Sequence, residues 1–291
     1  MPLLSIIIVT WNSEEFIEAC LESIFETKGS IDLEVIVIDN ASEDGTVKII
    51  KEFELEVRLI SNQKNLGYAK GNNQGIEIAR GEYLLLLNPD VELQDNCLKL
   101  MLRFLQEHKG IDGLGPQLLN KDGSIQPSCR EFPDFTILLW EVTGLSYLFP
   151  RNRTFGRWRM GYFDFKSARE VEQPMGSCLL LRREVLRKVG TFNERFPIFF
   201  NDVDLCYRIK ESGGKLYFYP EAKALHYKGG STQKAKPKMI LSSHSSFFRF
   251  LNKHKKGVLS KILNYLSGVI LMFSALFRIF LYGLKRVFLK S

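Results

Sequence analysis

The chain has 291 residues, 45% apolar and 25% charged, enough to bury a full core as one large domain or as one domain plus an appendage. Its formal charge of +7 hides a division: no Asp or Glu follows Glu221, while 14 Lys and Arg do, and +7 less 14 leaves −7 on the first 221 residues. An acidic body with a basic tail points to an anionic partner for the tail, nucleic acid or a membrane surface. The five cysteines (Cys20, Cys97, Cys129, Cys178, Cys206) are odd in number and lack metal-type spacing, so they read as buried thiols in a reducing compartment. The N-terminus has no basic region before its apolar run, so no signal peptide is expected and the body is placed in the cytosol.

In chain order, Leu3–Thr10 is a β-branched apolar run, the first expected strand. A tight loop follows, with Asn12 and Glu15 spaced as a capping box for a helix through Phe16, Cys20, Ile24 and Phe25. Leu33–Asp39 is the second strand, ending in a carboxylate, and Val57–Ser61 the third. The loop 62–71, rich in Asn, Gly and Lys, leads into a short helix that ends near Arg80-Gly81.

Tyr83–Glu92, Tyr-Leu-Leu-Leu-Leu-Asn-Pro-Asp-Val-Glu, reads as a strand buried on both faces at the centre of a parallel sheet, stopped by Asn88-Pro89. The first groups past the stop are Asp90 and Glu92. Ligands of open α/β sheets sit beyond the carboxyl ends of the strands, where acid suits a hard cation carrying phosphate oxygens. A plain turn role for Asp90 is the alternative. Strands alternating with helices indicate βαβ units and a nucleotide-binding type of half-domain. Neither G-x-G-x-x-G nor G-x-x-x-x-G-K-[ST] is present, so this is neither a dehydrogenase fingerprint nor a phosphate loop.

After a helix near 94–107, residues 118–126 read as a hairpin around Asp122-Gly123. Residues 131–171 are the least regular, mixing aromatics with Arg151, Arg153, Arg157 and Arg159. Such a mixture can stack bases, grip pyrophosphate, rest on a lipid interface, or simply form a surface insertion. Pro174–Leu181 is a further strand; a helix starting at Phe199 carries Asp202 and Asp204 at its N-terminus, pointing different ways, with Arg208 beyond. Lys215–Tyr219 and Ala224–Tyr227 read as two short strands, followed by Gly229-Gly230-Ser231-Thr232. In the tail, Ile262–Leu284 is apolar enough for one bilayer crossing, yet Asn264, Ser267, Ser274, Arg278 and Lys285 place a thin polar stripe on one side. With Lys253–Lys256 before it and Lys285, Arg286 and Lys290 closing it, an in-plane amphipathic anchor fits better than a span. A helix packed on the protein's own core is the third option, and the long aliphatic stretch argues for lipid against nucleic acid.

Seven segments at sensible spacing carry a resemblance: Ile6-Ile-Ile-Val-Thr-Trp-Asn12, Val37-Ile-Asp-Asn-Ala-Ser42, Asn65-Leu-Gly-Tyr-Ala-Lys-Gly-Asn-Asn73, Leu87-Asn-Pro-Asp90, Gly176-Ser-Cys-Leu-Leu-Leu-Arg-Arg183, Asn201-Asp-Val-Asp-Leu-Cys-Tyr-Arg208 and His226. From Ser5 to about Thr232 the sequence resembles family 2 glycosyltransferases, in particular the bacterial rhamnosyltransferase-like branch. The resemblance implies an α/β GT-A fold around a mixed, mostly parallel sheet. Residues 1–235 would form the transferase domain, with 1–115 as nucleotide-sugar half and 116–235 as acceptor half, and 236–291 a basic helical tail. It implies an inverting transfer of a sugar, with rhamnose one candidate, from a nucleoside-diphosphate donor to a lipid-linked or cell-envelope acceptor at the cytoplasmic membrane face. Thr10, Trp11, Asn12, Glu14, Asp39, Asn65, Gly67 and Asn73 match donor-binding positions. Asp90 matches the carboxylate that holds a divalent metal (Mg2+ or Mn2+), although Asn88 replaces the first acid of the Asp-x-Asp motif, and His226 matches a position near the metal. Asp202 matches the general base; Gly176, Arg208, Arg151 and Arg153 are acceptor-side candidates. Asn193 and Asn201 stand where acids are usual, which keeps a non-catalytic nucleotide-sugar-binding protein as the alternative. A nucleotidyltransferase would leave Asp202 unexplained.

Overall fold

A computed structural model describes residues 2–227 and 236–288; Gly229–Thr232 and Lys290 lie outside the described residues, as do the side chains of Lys285 and Arg286. Two compact units divide the chain, one comprising Met1–Arg130, Asp164–Pro197 and Asn201–Ser231, the other Glu131–Phe163, Ile198–Phe200 and Thr232–Ser291. The tail thus shares its unit with the irregular stretch 131–163, which the sequence places in the acceptor half.

The first unit opens with β1 (Leu4–Thr10), α1 (Ile17–Thr27), β2 (Leu33–Asp39), α2 (Thr46–Glu52), β3 (Val57–Ser61), α3 (Tyr68–Ile78) and β4 (Tyr83–Leu87). Every residue of β1 and β4 is buried, as a strand covered on both faces requires. The order β3-β2-β1-β4 is parallel throughout. Its register sets Thr10 beside Asp39 and Asp39 beside Ser61, while Leu87 stops level with Ile8. The carboxyl ends of these strands therefore form one edge at which Thr10, Asp39 and the Asn88 turn emerge together.

The chain continues with β5 (Val91–Leu93), α4 (Cys97–Glu107), β6 (Gly113–Leu119), β7 (Ile125–Gln126) and β8 (Cys129–Arg130). In the second unit α5 (Phe135–Thr143) and α6 (Leu145–Leu148) follow. Back in the first come β9 (Arg169–Val171), β10 (Gln173–Pro174), β11 (Cys178–Arg182), α7 (Arg183–Val189), α8 (Asn201–Glu211) and β12 (Leu216–His226). β11 runs antiparallel to β4 with Cys178 opposite Leu87, which delivers Gly176-Ser177 to the same edge. β12 is parallel to β6 and antiparallel to β5, where His226 pairs with Val91 and so lands beside Asp90.

Four local expectations change. The Asn12/Glu15 capping box is not formed: Asn12 adopts φ 51° and its Oδ1 accepts the Glu43 N–H, so α1 starts after Phe16 without a side-chain cap. The expected strand at 174–181 is broken, because Met175 donates to the Ser128 carbonyl and turns the chain between β10 and β11. Lys215–Tyr219 and Ala224–Tyr227 belong to one strand, β12, with a register shift between Tyr219 and Lys223 that absorbs Pro220. Within the irregular stretch α5 is a helix, capped by Asp134, whose Oδ1 accepts the Ile137 N–H at 2.7 Å. All five cysteines are free and buried, as expected.

The second unit ends in α9 (Lys236–His254) and α10 (Val258–Phe288). The first part of the polar stripe of α10 does not face water, although Arg278 is exposed. Asn264 and Ser267 are buried together with Leu271 and Ala275, and Ser274 Oγ lies 3.2 Å from His244 Nε2 of α9. A single helix segment, Val258–Gly283, is long and apolar enough to cross a membrane among the described residues.

Candidate active site

At the carboxyl edge of β1 and β2, the Thr10 hydroxyl donates to Asp39 Oδ1 at 2.9 Å, and both residues are buried. The same oxygen accepts the Ser42 hydroxyl at 2.6 Å, while Asp39 Oδ2 accepts the Ser42 N–H at 3.0 Å. These donors hold the carboxylate in one orientation at the mouth of the sheet. Asn12 and Glu14 brace the facing loop: the Asn12 N–H donates to Ser42 Oγ, and Glu14 Oε2 accepts the Gly45 N–H at 3.0 Å. Trp11 remains 39% exposed, a ring available to stack on a ligand.

Asn40 ties this edge to the next loop. Its Nδ2 donates to the Gly67 carbonyl at 3.3 Å, and its Oδ1 accepts from Asn62 Nδ2 at 3.0 Å. Asn65 Oδ1 accepts the Gly67 N–H at 2.9 Å. Gly67 sits at φ 85°, and a Cβ there would meet the Pro197 carbonyl oxygen at 3.1 Å, so both the backbone and the space require glycine. Asn73 turns to the loop at Phe192 instead of the donor edge: its Oδ1 accepts that residue's N–H and its Nδ2 donates to the carbonyl.

Asp90 and His226 meet through the pairing of β5 with β12. His226 Nε2 lies 3.6 Å from Asp90 Oδ1, and both side chains are largely shielded from solvent. Gln126 Nε2 donates to Asn120 Oδ1 and to the His226 carbonyl, which leaves Oε1 to accept from His226 Nδ1 at 2.6 Å. With a proton on Nδ1 for this bond, the neutral form of the ring would turn the Nε2 lone pair toward the carboxylate. Asp90 Oδ1 and Asn88 Oδ1 are buried with no hydrogen-bond partner. Two lone-pair-bearing atoms opposed across 3.6 Å, one on an orphaned carboxylate, have the chemistry of a cation seat. Among the described residues no group of three or more His, Cys, Asp and Glu could hold a metal. The protein thus offers a cation Asp90 and His226, a number that suits Mg2+-type sites completed by phosphate oxygens. Gln126→Leu is expected to raise the Mn2+ concentration needed for half-maximal nucleoside-diphosphate binding by about 10–100-fold. Titration of Mn2+ at fixed nucleotide checks this; an unchanged midpoint would remove Gln126 from the site.

Asp202 begins α8, where the helix dipole favours its charge. Its Oδ2 accepts the Gly176 N–H at 3.1 Å and Gln173 Nε2 at 2.9 Å; its Oδ1 accepts the Val203 N–H at 2.9 Å. Burial pushes the carboxyl above its ordinary value, against the pull of the Gly176 and Val203 N–H groups and of Arg130. Asn201 is buried and accepts the Asp202 N–H on its Oδ1 at 2.7 Å. A Cβ on Gly176 would come within 2.8 Å of the Asp202 Cβ. Gly176→Ala should therefore displace Asp202 and cost roughly 1–3 kcal/mol of stability, read by denaturant unfolding, with a fall in turnover larger than any change in donor affinity.

The Gly176-Ser177 peptide joins the two acidic centres. Ser177 accepts the Asn88 N–H on its carbonyl at 2.8 Å, Gly176 donates to Asp202, and the Tyr68 hydroxyl donates to the Gly176 carbonyl at 3.0 Å. Tyr68 feels both carboxylates: burial raises its pKa most, then the charge on Asp202, with Asp90 adding to it. Asp202 and the turn that leads to Asp90 thus bond to one short segment of backbone, beside Tyr68.

The other acceptor-side candidates are Arg208, Arg151 and Arg153. Arg208 is taken up by Asp204 at 3.0 Å and by the carbonyls of Val189, Gly190 and Thr191, an anchor for the loop after α7. Arg151 and Arg153 are exposed residues of the second unit. A cleft of about 720 Å³ lined by Arg80, Arg182 and Arg183 opens at the amino ends of the strands and includes none of the candidate residues. Sequence reasoning missed Tyr68, Gln126 and Gln173. Tyr68 stands inside a quoted segment, but the two glutamines show no signal beyond their place near strand ends.

A family model for glycosyl transferase family 2 matches residues 5–190. N-acetylglucosaminyl-diphospho-decaprenol L-rhamnosyltransferase of Mycobacterium tuberculosis is 30% identical over 266 residues, covering 87% of this chain and 85% of that protein. A low-salt glycan biosynthesis hexosyltransferase of Haloferax volcanii is 26% identical over 211 residues, 71% of this chain and 61% of that protein. Among solved structures, GalNAc-T7 with UDP, GalNAc and Mn2+ gives a TM-score of 0.62 at 16% identity, covering 87% of this chain and 48% of that one. A mannosyltransferase from Pyrobaculum calidifontis with GDP-Man and Mn2+ gives 0.59 at 17%, covering 94% and 74%. At those identities the two structures show the fold alone, that of a GT-A enzyme. Matched by the family model over more than half its length, and 30% identical to a relative across most of both chains, this protein belongs to glycosyl transferase family 2.

Proposed function

We propose that this glycosyltransferase inverts the anomeric centre as it moves a sugar from a nucleoside diphosphate to a hydroxyl of a lipid-linked or cell-envelope glycan. The observation that supports the reading is that Asp202 and the turn leading to Asp90 both bond to the Gly176-Ser177 segment, with the charges of both acids reaching Tyr68. Asp202 takes the proton of the acceptor hydroxyl as its oxygen bonds to the anomeric carbon. The bond to the diphosphate oxygen breaks on the opposite face, so the centre inverts and no sugar–enzyme bond forms. Gln173, Gly176 and the α8 backbone hold that carboxylate in place before the acceptor arrives. The Thr10–Asp39–Ser42 cluster and the open face of Trp11 would receive the nucleoside. Asp90 and His226 would hold Mg2+ or Mn2+, whose charge would offset that of the departing nucleoside diphosphate.

The lipid-linked acceptor is supported by the name of the mycobacterial relative, which also makes a nucleoside-diphosphate rhamnose a first donor to test. The basic tail supports a membrane-bound enzyme on the cytoplasmic face. Asn193 and Asn201 do not favour a non-catalytic protein, because each serves its backbone: Asn193 Oδ1 accepts the Arg195 N–H and Asn201 Oδ1 the Asp202 N–H. Nucleotide-sugars screened with Mn2+ by thermal unfolding should yield one class that raises the melting temperature, since only the native state binds it. With that donor, NMR of the product should show the opposite anomer, and retained configuration would overturn the mechanism.

A further inference from the structure

The second unit is built inside out. The polar stripe of α10 faces α9: Asn264 and Ser267 are buried, Asn264 Nδ2 donates to the Lys255 carbonyl at 3.4 Å, and Ser274 Oγ meets His244. On its other faces, thirteen large apolar side chains between Val258 and Leu281 are exposed, among them Tyr265, Phe273, Phe277 and Phe280. They amount to on the order of 1,000 Å² of apolar surface, against the ~300–600 Å² patch of an ordinary soluble protein. Helices of water-soluble proteins place these faces the other way round.

A second element adds to this surface. Tyr147, Leu148 and Phe149 at the end of α6 are exposed, and the Tyr147 oxygen accepts from Arg278 Nη2 of α10 at 3.3 Å and from Arg159 Nη2 at 2.9 Å. Arg151 and Arg153 follow directly and are exposed. An apolar-aromatic tip followed by arginines is the order in which a chain leaves hydrocarbon for phosphates. Lys253, Lys256 and Lys261 are exposed around the start of α10, and no carboxylate follows Glu221 anywhere in the chain. This charge complements anionic headgroups. At about 1.5 Å per residue α10 is long enough to span. A span would, however, draw the docked α9, with Lys238, Arg249 and Lys253, into hydrocarbon, or strip it from the polar stripe.

We propose that the apolar face of α10 and the Tyr147–Phe149 tip of α6 form one monotopic seat in a single leaflet of an anionic bilayer, with Arg151 and Arg153 at its phosphates. This rests on the membrane-bound reading above and adds to it a contact far upstream of α10 in the sequence, and an orientation.

Because the five native thiols are buried, full-length Phe149→Cys, Phe277→Cys and Asp122→Cys proteins can each be labelled with bimane at one site. Mixed with vesicles of phosphatidylcholine and phosphatidylglycerol carrying nitroxide lipids, the first two labels should be quenched and the third, on the exposed hairpin of the first unit, should not. Arg151→Glu with Arg153→Glu should weaken vesicle binding by about tenfold or more. In sealed vesicles, an impermeant maleimide added outside should modify both Lys256→Cys and Gly283→Cys. Quenching at Phe277 alone would overturn the two-element seat and leave the tail as anchor. Protection of Gly283 with reaction at Lys256 would show a span. No quenching at either site, with the unlabelled chain failing to float with vesicles, would overturn the membrane reading as well. Labels shielded in a dimer without lipid, and unquenched with it, would assign the face to a second copy.

Discussion

Asp202→Asn is expected to lower sugar transfer by about 10²–10⁴-fold, the usual worth of a positioned general base, while the donor Kd stays within about twofold. The substitution keeps the shape of the side chain and removes the basic lone pair, but with its oxygen on the Val203 N–H its amide nitrogen cannot accept from the Gly176 N–H or from Gln173 Nε2. The unchanged donor Kd separates this loss from misfolding. Burial raises the pKa of Asp202, so the folded chain holds that proton more tightly than the unfolded chain does. The stability contributed by this group is fully present below the unfolded pKa and is lost as pH rises through the raised folded pKa. At neutral pH the ionised carboxylate therefore costs stability, while Asp202→Asn strips the Gly176 N–H and Gln173 Nε2 of their acceptor, so the melting temperature of the variant reflects both effects. Catalysis runs the other way. Transfer needs the ionised form, so kcat should fall as pH drops through the raised pKa, with its acid limb above the ordinary carboxylate range. The residual activity of Asp202→Asn should lack that limb. A variant that transfers sugar at the wild-type rate, or whose profile keeps the same limb, would remove Asp202 from the chemistry.

Asp90→Ala should abolish the metal dependence of nucleoside-diphosphate binding. In wild type, adding Mn2+ is expected to tighten binding by more than about 100-fold, since removing a partner that merely orients a ligand already costs 10–100-fold; in the variant, the isotherms with Mn2+ and with chelator should coincide. His226→Ala should reproduce most of that loss. Metal-tightened binding that survives the substitution would place the cation elsewhere.

Asp202 costs stability where it stands, as functional groups commonly do. The apolar runs that became β1, β2, β3 and β4 announce strands buried on both faces, and Asn88-Pro89 announces where β4 stops. Asp90 stood out as an acid just past such a run, whereas Asp202, at a helix start that favours acids, stood out only through the resemblance. β5 was not, since three residues form a strand only because β12 arrives to pair with them. The same long-range pairing brings His226 to Asp90, and β11 brings Gly176 to the edge of β4; neither is a local property of the chain. Gln126 and Gln173 act through single hydrogen bonds to residues at least 29 positions away, so no local pattern marks them. Arg208 shows the reverse failure. Its position in a quoted segment suggested a substrate contact, whereas its bonds to Asp204 and three carbonyls give it the work of holding a loop. In α10 the polar stripe was visible at the right spacing, but its orientation was decided by α9, with which it exchanges hydrogen bonds.

The most direct test is a crystal structure of Asp202→Asn with Mn2+ and an intact nucleotide-sugar, with manganese located by its anomalous scattering. One manganese peak should touch Asp90 Oδ1, His226 Nε2 and the diphosphate, and the face of the anomeric carbon opposite the diphosphate should open toward residue 202. A peak bound by neither Asp90 nor His226, or a sugar whose open face turns away from residue 202, would contradict the account.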